Sequence, residues 1–202
     1  MKKSKLILNY LKYKTSKRAP VITWWQAGFF LIGVSVLGRI SSVSSKQEPK
    51  ELYKDEIKPK WSPPAWLFGP AWLLNNIFLV WGGRRLLNTR KHFPYRRSLL
   101  TLQGIHWLDF ITFGYAYFRL KSPILALIWT QGDAIIATRS LKLAAQSTDK
   151  KLAITYIPLT LWTCFASSLS WFQALYNPDP LFGTKAMFKI TKPLEEKLLK
   201  KA

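Results

Sequence analysis

Acidic residues are scarce in this sequence: Asp and Glu number 10 against 31 Lys and Arg in 202 residues, a formal net charge of +21. An even spread of such an excess would be typical of a soluble protein that binds nucleic acid. The charges are not evenly spread, because the lysines crowd between long stretches that carry almost no charge. We therefore expect no nucleic-acid partner.

Cysteine and the common catalytic motifs are also scarce. Cys164 is the single cysteine, so no internal disulfide can form and the redox compartment cannot be read from cysteine usage. The sequence contains no nucleophile elbow, no phosphate-binding loop and no C-x-x-C pair. No spacing supports a Ser-His-Asp assembly, and we therefore expect that the protein is not an enzyme.

Charge is nearly absent from five apolar stretches. Three of them hold no charged residue, and the other two hold only Asp109 and Asp133. A bilayer core of about 30 Å needs roughly 20 mostly apolar residues in a helix. Helices of a soluble bundle would show a polar face instead. The pattern predicts an all-α membrane protein, a bundle of five transmembrane helices near residues 20–42, 63–83, 97–118, 122–146 and 150–176.

Basic extensions flank the predicted transmembrane domain, which covers residues 20–176. Residues 1–19 hold seven positive charges and no negative one, as organellar targeting segments do. We expect a retained targeting tail or a membrane-surface arm, and a mitochondrial membrane as the location. Residues 177–202 form a second basic extension. Lys and Arg are only modestly biased between the two sides of the bundle, so its orientation stays open.

The second stretch begins with KPKWSPPAWLFGPAWLLNN, residues 58–76. Ser62 can cap a helix N-terminus, and prolines suit the first helical positions, where a missing N–H has no cost. The sequence thus predicts a helix that starts at Pro63–Pro64, bends at Pro70 and ends at Gly82–Gly83.

This segment resembles the W-x-P-P-x-W-x-F-G-P-x-W signature of the TspO/MBR family, the tryptophan-rich sensory proteins that include the mitochondrial translocator protein. The matching residues are Trp61, Pro63, Pro64, Trp66, Phe68, Gly69, Pro70 and Trp72. Residues 158–170 resemble the family's fifth helix, with Pro158, Trp162, Phe165, Ala166 and Leu169 in register and Ser170 in place of an Asn.

The resemblance implies a cavity among the five helices, closed by the first loop, that binds flat hydrophobic ligands without a covalent bond. Family ligands include porphyrins, haem, sterols and other lipids. The sterol-recognition pattern expected after the fifth helix is absent, since no basic residue follows Tyr176 until Lys185. The ligand-binding residues that we predict are Trp61, Trp66, Phe68, Trp72, Asn76, Trp107, Trp162, Phe165 and Ala166.

Three ionisable side chains fall inside the apolar stretches. His106 and Asp109 are three residues apart and share a helical face, which predicts that they form a hydrogen-bonded pair and serve as a polar contact to neighbouring helices. A haem ligand or a proton relay is the functional alternative for His106. Asp133 could face Asn75 or Asn76, or pair with Arg39 or Arg139. We expect no metal site, because two possible ligands are too few.

Two functions fit the sequence. One is a membrane protein that binds a tetrapyrrole, haem or a lipid between its helices. The other is an accessory structural subunit of a large mitochondrial membrane complex, in which the fold is retained and the pocket repurposed. The expected partners are membrane lipids, and either neighbouring chains that both tails contact or a second copy in a homodimer.

Overall fold

The computed structural model describes residues 21–42, 56–91, 93–147 and 149–189. The N-terminal tail, for which we predicted contacts with partner chains, lies outside these ranges, as does the end of the C-terminal tail. Within the described ranges the regular elements are helices and no strand is present, and Asp179 and Thr184 pair in an isolated bridge. The predicted all-α fold with five long helices is confirmed.

The five helices follow one another with short connections, apart from the first loop. Their bounds are α1 Trp24–Ser42, α2 Phe68–Asn88, α3 Arg96–Gly114, α4 Pro123–Ala145 and α5 Lys150–Tyr176. A 3-10 turn, Ala65–Leu67, leads into α2, and a π-helical turn, Tyr115–Arg119, continues α3. The most extensive helix contact is between α4 and α5.

The start of α2 lies later than predicted. Pro64 is extended, with φ −64° and ψ 146°, and no side chain caps the turn that follows it. Ser62 is buried and borders a cavity instead of capping a helix. Pro70 is the third residue of α2, where a backbone N–H would have no partner within the helix anyway. Pro158 lies in the interior of α5.

The end of α2 also differs from the prediction, because Gly82 and Gly83 lie inside the helix, which continues to Asn88. Both glycines permit close packing. A Cβ atom on Gly82 would lie 2.5 Å from Oγ1 of Thr155, and one on Gly83 would lie 2.7 Å from Oε1 of Gln103. Here the glycine pair allows α3 and α5 to approach α2, so it does not stop the helix.

Replacing Gly82 with alanine should therefore destabilise the bundle. The added methyl group would overpack against Thr155, a change that typically costs about 1–3 kcal/mol. Gly104→Ala is the matched control, because nothing lies within 4 Å of its Cβ position; it should be neutral or slightly stabilising. Thermal unfolding in detergent would compare the two variants. Equal midpoints would show that the close approach at Gly82 is unimportant.

The starts of α4 and α5 are capped by side chains. Ser122 Oγ accepts a 3.1 Å hydrogen bond from the Leu125 N–H, and Pro123 occupies the first helical position. Asp149 accepts hydrogen bonds from the N–H groups of Lys151 and Leu152, at 3.1 and 3.3 Å. Arg85 Nε donates to the other oxygen of Asp149 at 2.9 Å, which joins the end of α2 to the start of α5.

The apolar core lies at one end of the bundle, where α2 and α4 end and α3 and α5 begin. Its buried members are Leu79, Leu86, Leu99, Ala137, Ala144, Leu152, Tyr156 and Leu159. The other end contains the cavity described below.

Polar side chains lie inside the bundle and large apolar side chains cover its surface, which is unlike a soluble protein. Buried side chains include Asn75, Asn76, Gln103, His106, Asp133 and Gln173, whereas large apolar side chains on every helix are exposed. By length and composition, Lys150–Tyr176 alone among the described helices is apolar enough to cross a membrane.

Candidate functional site

A cavity of about 500 Å³ lies between the helices at the end of the bundle where α1 and α5 end and α2 and α4 begin. All five helices contribute to its wall, at spacings that follow the helical period. On α2 these residues are Phe68, Gly69, Trp72, Leu73 and Asn76, and on α5 they are Thr163, Ala166, Leu169, Ser170 and Gln173.

Aromatic side chains form much of the cavity wall. The contributors from α2, α3 and the π-helical turn are Phe68, Trp72, Phe110, Phe113, Tyr117 and Phe118. The rings of Trp72 and Phe110 are 5.5 Å apart between centroids and tilted by 57°. Small residues, among them Gly38, Gly114 and Ala166, complete the wall between these rings.

Four of the predicted ligand-binding residues line this cavity: Phe68, Trp72, Asn76 and Ala166. The other five lie elsewhere, namely Trp61, Trp66, Trp107, Trp162 and Phe165. Trp66 is 67% exposed on the outside of the bundle, because two residues of helix rotate it away from the face that holds Phe68.

The remaining predicted residues support the wall or the loop. Trp162 packs edge-on against Phe68 and Trp72, with ring centroids 5.6 and 6.4 Å apart, and Phe165 packs against Trp162 at 5.8 Å. Trp107 contacts Phe30 and Phe110. Trp61 packs against Phe172 of α5. These rings therefore pack behind or beside the cavity wall.

The described end of the first loop is bonded to two side chains of the cavity wall. The Tyr117 hydroxyl donates to Glu56 at 2.6 Å, and Gln173 Nε2 donates to the same carboxylate oxygen. Tyr117 and Gln173 both line the cavity. Burial raises the pKa of Glu56 from 4.5 to about 7, and the Tyr117 hydrogen bond and Lys58 oppose this only in part.

A second contact fixes the same loop to the end of α5. The Ile57 N–H donates to Asn177 Oδ1 at 2.8 Å, and Asn177 Nδ2 donates to the Ile57 carbonyl at 3.1 Å. Sequence reasoning missed Glu56 and Asn177. The sequence around each of them gives no sign of this contact, because the partners are distant along the chain. Glu56 bonds to Tyr117 and Gln173, and Asn177 bonds to Ile57.

Asp179 performs a similar role beyond α5. It accepts hydrogen bonds from the Ser122 hydroxyl at 2.6 Å and from the Ile124 N–H at 3.0 Å, and thus joins the chain after α5 to the start of α4. Burial opposes its ionisation, but these hydrogen bonds, together with those from Phe182 and Leu181, hold the pKa of Asp179 below its usual value.

The ionisable residues deep in the bundle are not paired as predicted. His106 Nδ1 contacts the Asp133 carboxylate of α4, not Asp109 of its own helix. His106 is 1% exposed and is not part of the cavity wall, whereas Asp133 and Asp109 are. The imidazole is therefore not placed to ligate haem in this cavity. No group of three metal-binding side chains occurs within the residues that the structure describes.

Known proteins resemble this chain over most of its helical part. The sequence model of the TspO/MBR family matches residues 29–175. A tryptophan-rich protein TspO of Chlorobaculum tepidum is 26% identical over 131 residues, 62% of this chain and 79% of the relative. Its namesake in Archaeoglobus fulgidus is 26% identical over 155 residues, 73% of this chain and 94% of the relative. These relatives are bacterial and archaeal and do not support the predicted mitochondrial location.

Proposed function

The chain belongs to the TspO/MBR family of membrane proteins, and from this premise we propose that all five helices cross the membrane and that the cavity binds a flat, hydrophobic molecule such as a porphyrin. The resemblance deduced from the W-x-P-P-x-W-x-F-G-P-x-W segment is confirmed at the level of the family. Ligand class and membrane topology are our proposals.

The outer surface of the bundle supports five membrane crossings. Each helix presents large apolar side chains outward, for example Trp25 on α1, Leu108 on α3, Ile135 on α4 and Leu161 on α5, of which Trp25 is 82% and Leu161 68% exposed. In water such a surface would be an aggregation hazard. In a lipid bilayer an apolar outer surface is expected. The buried Asn, Gln and Asp side chains face the bundle interior, as polar groups of membrane proteins do.

The single observation that carries the ligand proposal is the aromatic cavity. Its wall combines aromatic rings with small residues, and Glu56 of the first loop is bonded to the wall residues Tyr117 and Gln173. We propose binding without catalysis. In the described part of the chain, no Ser, Thr or Cys forms a hydrogen bond with His106, as a nucleophile activated by a base would.

Replacing Trp72 with alanine should weaken protoporphyrin IX binding about tenfold, because it removes an aromatic wall contact of about 0.5–1.5 kcal/mol as well as buried apolar area. Trp25→Ala, on the outer surface, is the matched control and should leave the affinity unchanged. The shift of the porphyrin absorbance band on titration would measure both. Absence of saturable binding by the unmodified protein would overturn the proposal.

The alternative function, a structural subunit of a larger membrane complex, depends on the two basic tails. Residues 1–20 and 190–202 lie outside the described part of the chain. No contact in the described part favours this alternative over ligand binding.

A further inference from the structure

Arg39 is the one cationic side chain among the cavity-lining residues of the described chain. It lies in the last turn of α1, which ends at the same end of the bundle as the cavity, and it is exposed. A guanidinium group stays charged at any physiological pH and presents its N–H donors in one plane. The cavity therefore has a fixed positive charge at its outer end, beside the aromatic part of its wall.

The described chain places no acidic partner on Arg39. Neither of the two ion pairs found in that part of the chain includes it. The acids of the loop and turn at this end of the bundle are bonded elsewhere, since Glu56 accepts a hydrogen bond from Tyr117 and Asp179 accepts one from Ser122. A cation at the edge of an apolar space can then bind an anionic group of a ligand.

Two acidic side chains also line the cavity, from α3 and α4. The Asp133 carboxylate is bonded to His106 Nδ1. Asp109 belongs to neither ion pair of the described residues, and a carboxyl group in an apolar interior takes up a proton rather than bear an unpaired charge. Arg39 is therefore the unpaired fixed charge of the wall, as far as the chain is described.

Ser170, on α5, adds a second polar group that a ligand can use. It lines the cavity and is 5% exposed. Among the described residues its hydroxyl has no hydrogen-bond partner, whereas Ser167 of the same helix donates to Gln131 at 2.8 Å. Ser170 Oγ is also not one of the unpartnered atoms that lack accessible surface. Its hydroxyl therefore has surface in the cavity and can donate a hydrogen bond to an acceptor there.

We infer that the cavity prefers flat hydrophobic molecules that carry a carboxylate at one edge, and that this carboxylate binds the Arg39 guanidinium while the ring system lies against Trp72 and Phe110. This inference rests on the proposed ligand-binding function and specifies its ligand class and the residue that selects it. The planar fork of an arginine matches a carboxylate with two parallel hydrogen bonds. Protoporphyrin IX has the required form, because both of its carboxylates lie on one edge of the macrocycle.

The test compares protoporphyrin IX with its dimethyl ester, which has the same macrocycle but no carboxylate. The full chain is placed in discs of zwitterionic phosphatidylcholine, so that lipid charge neither attracts nor repels the probe. Each probe is titrated at pH 7 by the shift of its absorbance band, and affinities are corrected for partition into empty discs. The unmodified protein should bind the diacid about three- to tenfold more tightly, between the weak effect of an exposed ion pair and that of a bidentate one.

Arg39→Gln should abolish this preference by weakening diacid binding, and it should leave the affinity for the ester unchanged. Arg39→Lys keeps the charge but not the planar fork, so it should retain part of the preference. Arg119→Gln is the matched control. Arg119 is also exposed and lies at the same end of the bundle, over the Tyr115 ring at 5.3 Å, but it is not part of the cavity wall. Its replacement should leave both affinities unchanged.

The outcomes separate this inference from the function on which it rests. If protoporphyrin IX binds but the ester binds equally well or better, or if the preference persists in Arg39→Gln, the inference alone is overturned. If neither the diacid nor the ester binds saturably, the proposed function is overturned with it. The comparison of diacid and ester in the unmodified protein needs no variant, so it stands even if Arg39→Gln does not fold.

Discussion

Replacing Asp133 with alanine is expected to lower the free energy of unfolding by about 3–5 kcal/mol, the largest stability effect of any substitution proposed for this bundle. Asp133 and His106 are both almost completely buried, and His106 Nδ1 bonds to the carboxylate across the interface between α3 and α4. Removing one partner leaves the other as a polar group in an apolar interior, which costs far more than the pair contributes on its own.

The double variant His106→Leu with Asp133→Leu is the matched control. Replacing both members of a buried pair with apolar residues is often neutral or stabilising, so most of the lost stability should return. Reversible unfolding in mixed micelles would measure the three proteins. A double variant as unstable as Asp133→Ala would show that the pair is not the source of the effect.

Raising the pH from about 4.5 to about 7 should loosen the first loop from the cavity wall. Burial raises the pKa of Glu56 to about 7 in the closed loop, although the hydrogen bond from Tyr117 and the charge of Lys58 oppose this in part, whereas an open loop would leave the pKa near its ordinary value. The closed state therefore binds the proton more tightly. The stability that protonation of Glu56 gives the closed loop is fully present below about pH 4.5. It is lost as the pH rises to 7 and changes little above that.

The difference between the two pKa values, 4.5 and about 7, sets an upper limit of about 300-fold on the change in the ratio of closed to open loop. Hydrogen exchange of the Ile57 N–H, which bonds to Asn177 only when the loop is closed, would report this ratio after correction for intrinsic exchange rates. Glu56→Gln keeps hydrogen-bonding groups but does not titrate, so its corrected protection should not change over this range. A pH response that persists in Glu56→Gln would assign the effect to another group.

The helices could be predicted from the sequence wherever the local signals agreed. The predicted fifth helix, residues 150–176, matches Lys150–Tyr176 because Asp149 caps its start and Asn177–Pro178 follow its end. In α2 the signals conflicted. Gly82 and Gly83 are typical of a helix end, but close packing against Thr155 and Gln103 places them inside α2.

The cavity could be predicted only in part. The sequence places Phe68, Trp72 and Asn76 four residues apart, and residues at this spacing share one face of a helix. The period alone does not say which of several aromatic rings line a space and which pack behind it, as Trp162 does behind Phe68 and Trp72. The contact between His106 and Asp133 joins two helices. It depends on which helices are neighbours and on how each is rotated about its axis, and residue spacing within one helix reveals neither.

The central claim, a ligand-binding cavity among the five helices, is tested most directly by filling that cavity. Ala166 lines it, whereas Cys164 of the same helix is exposed on the outside of the bundle. Titration with protoporphyrin IX in lipid discs should show saturable one-to-one binding for the unmodified protein and for Cys164→Phe, and a loss of binding for Ala166→Phe. Equal binding by both phenylalanine variants would contradict the claim.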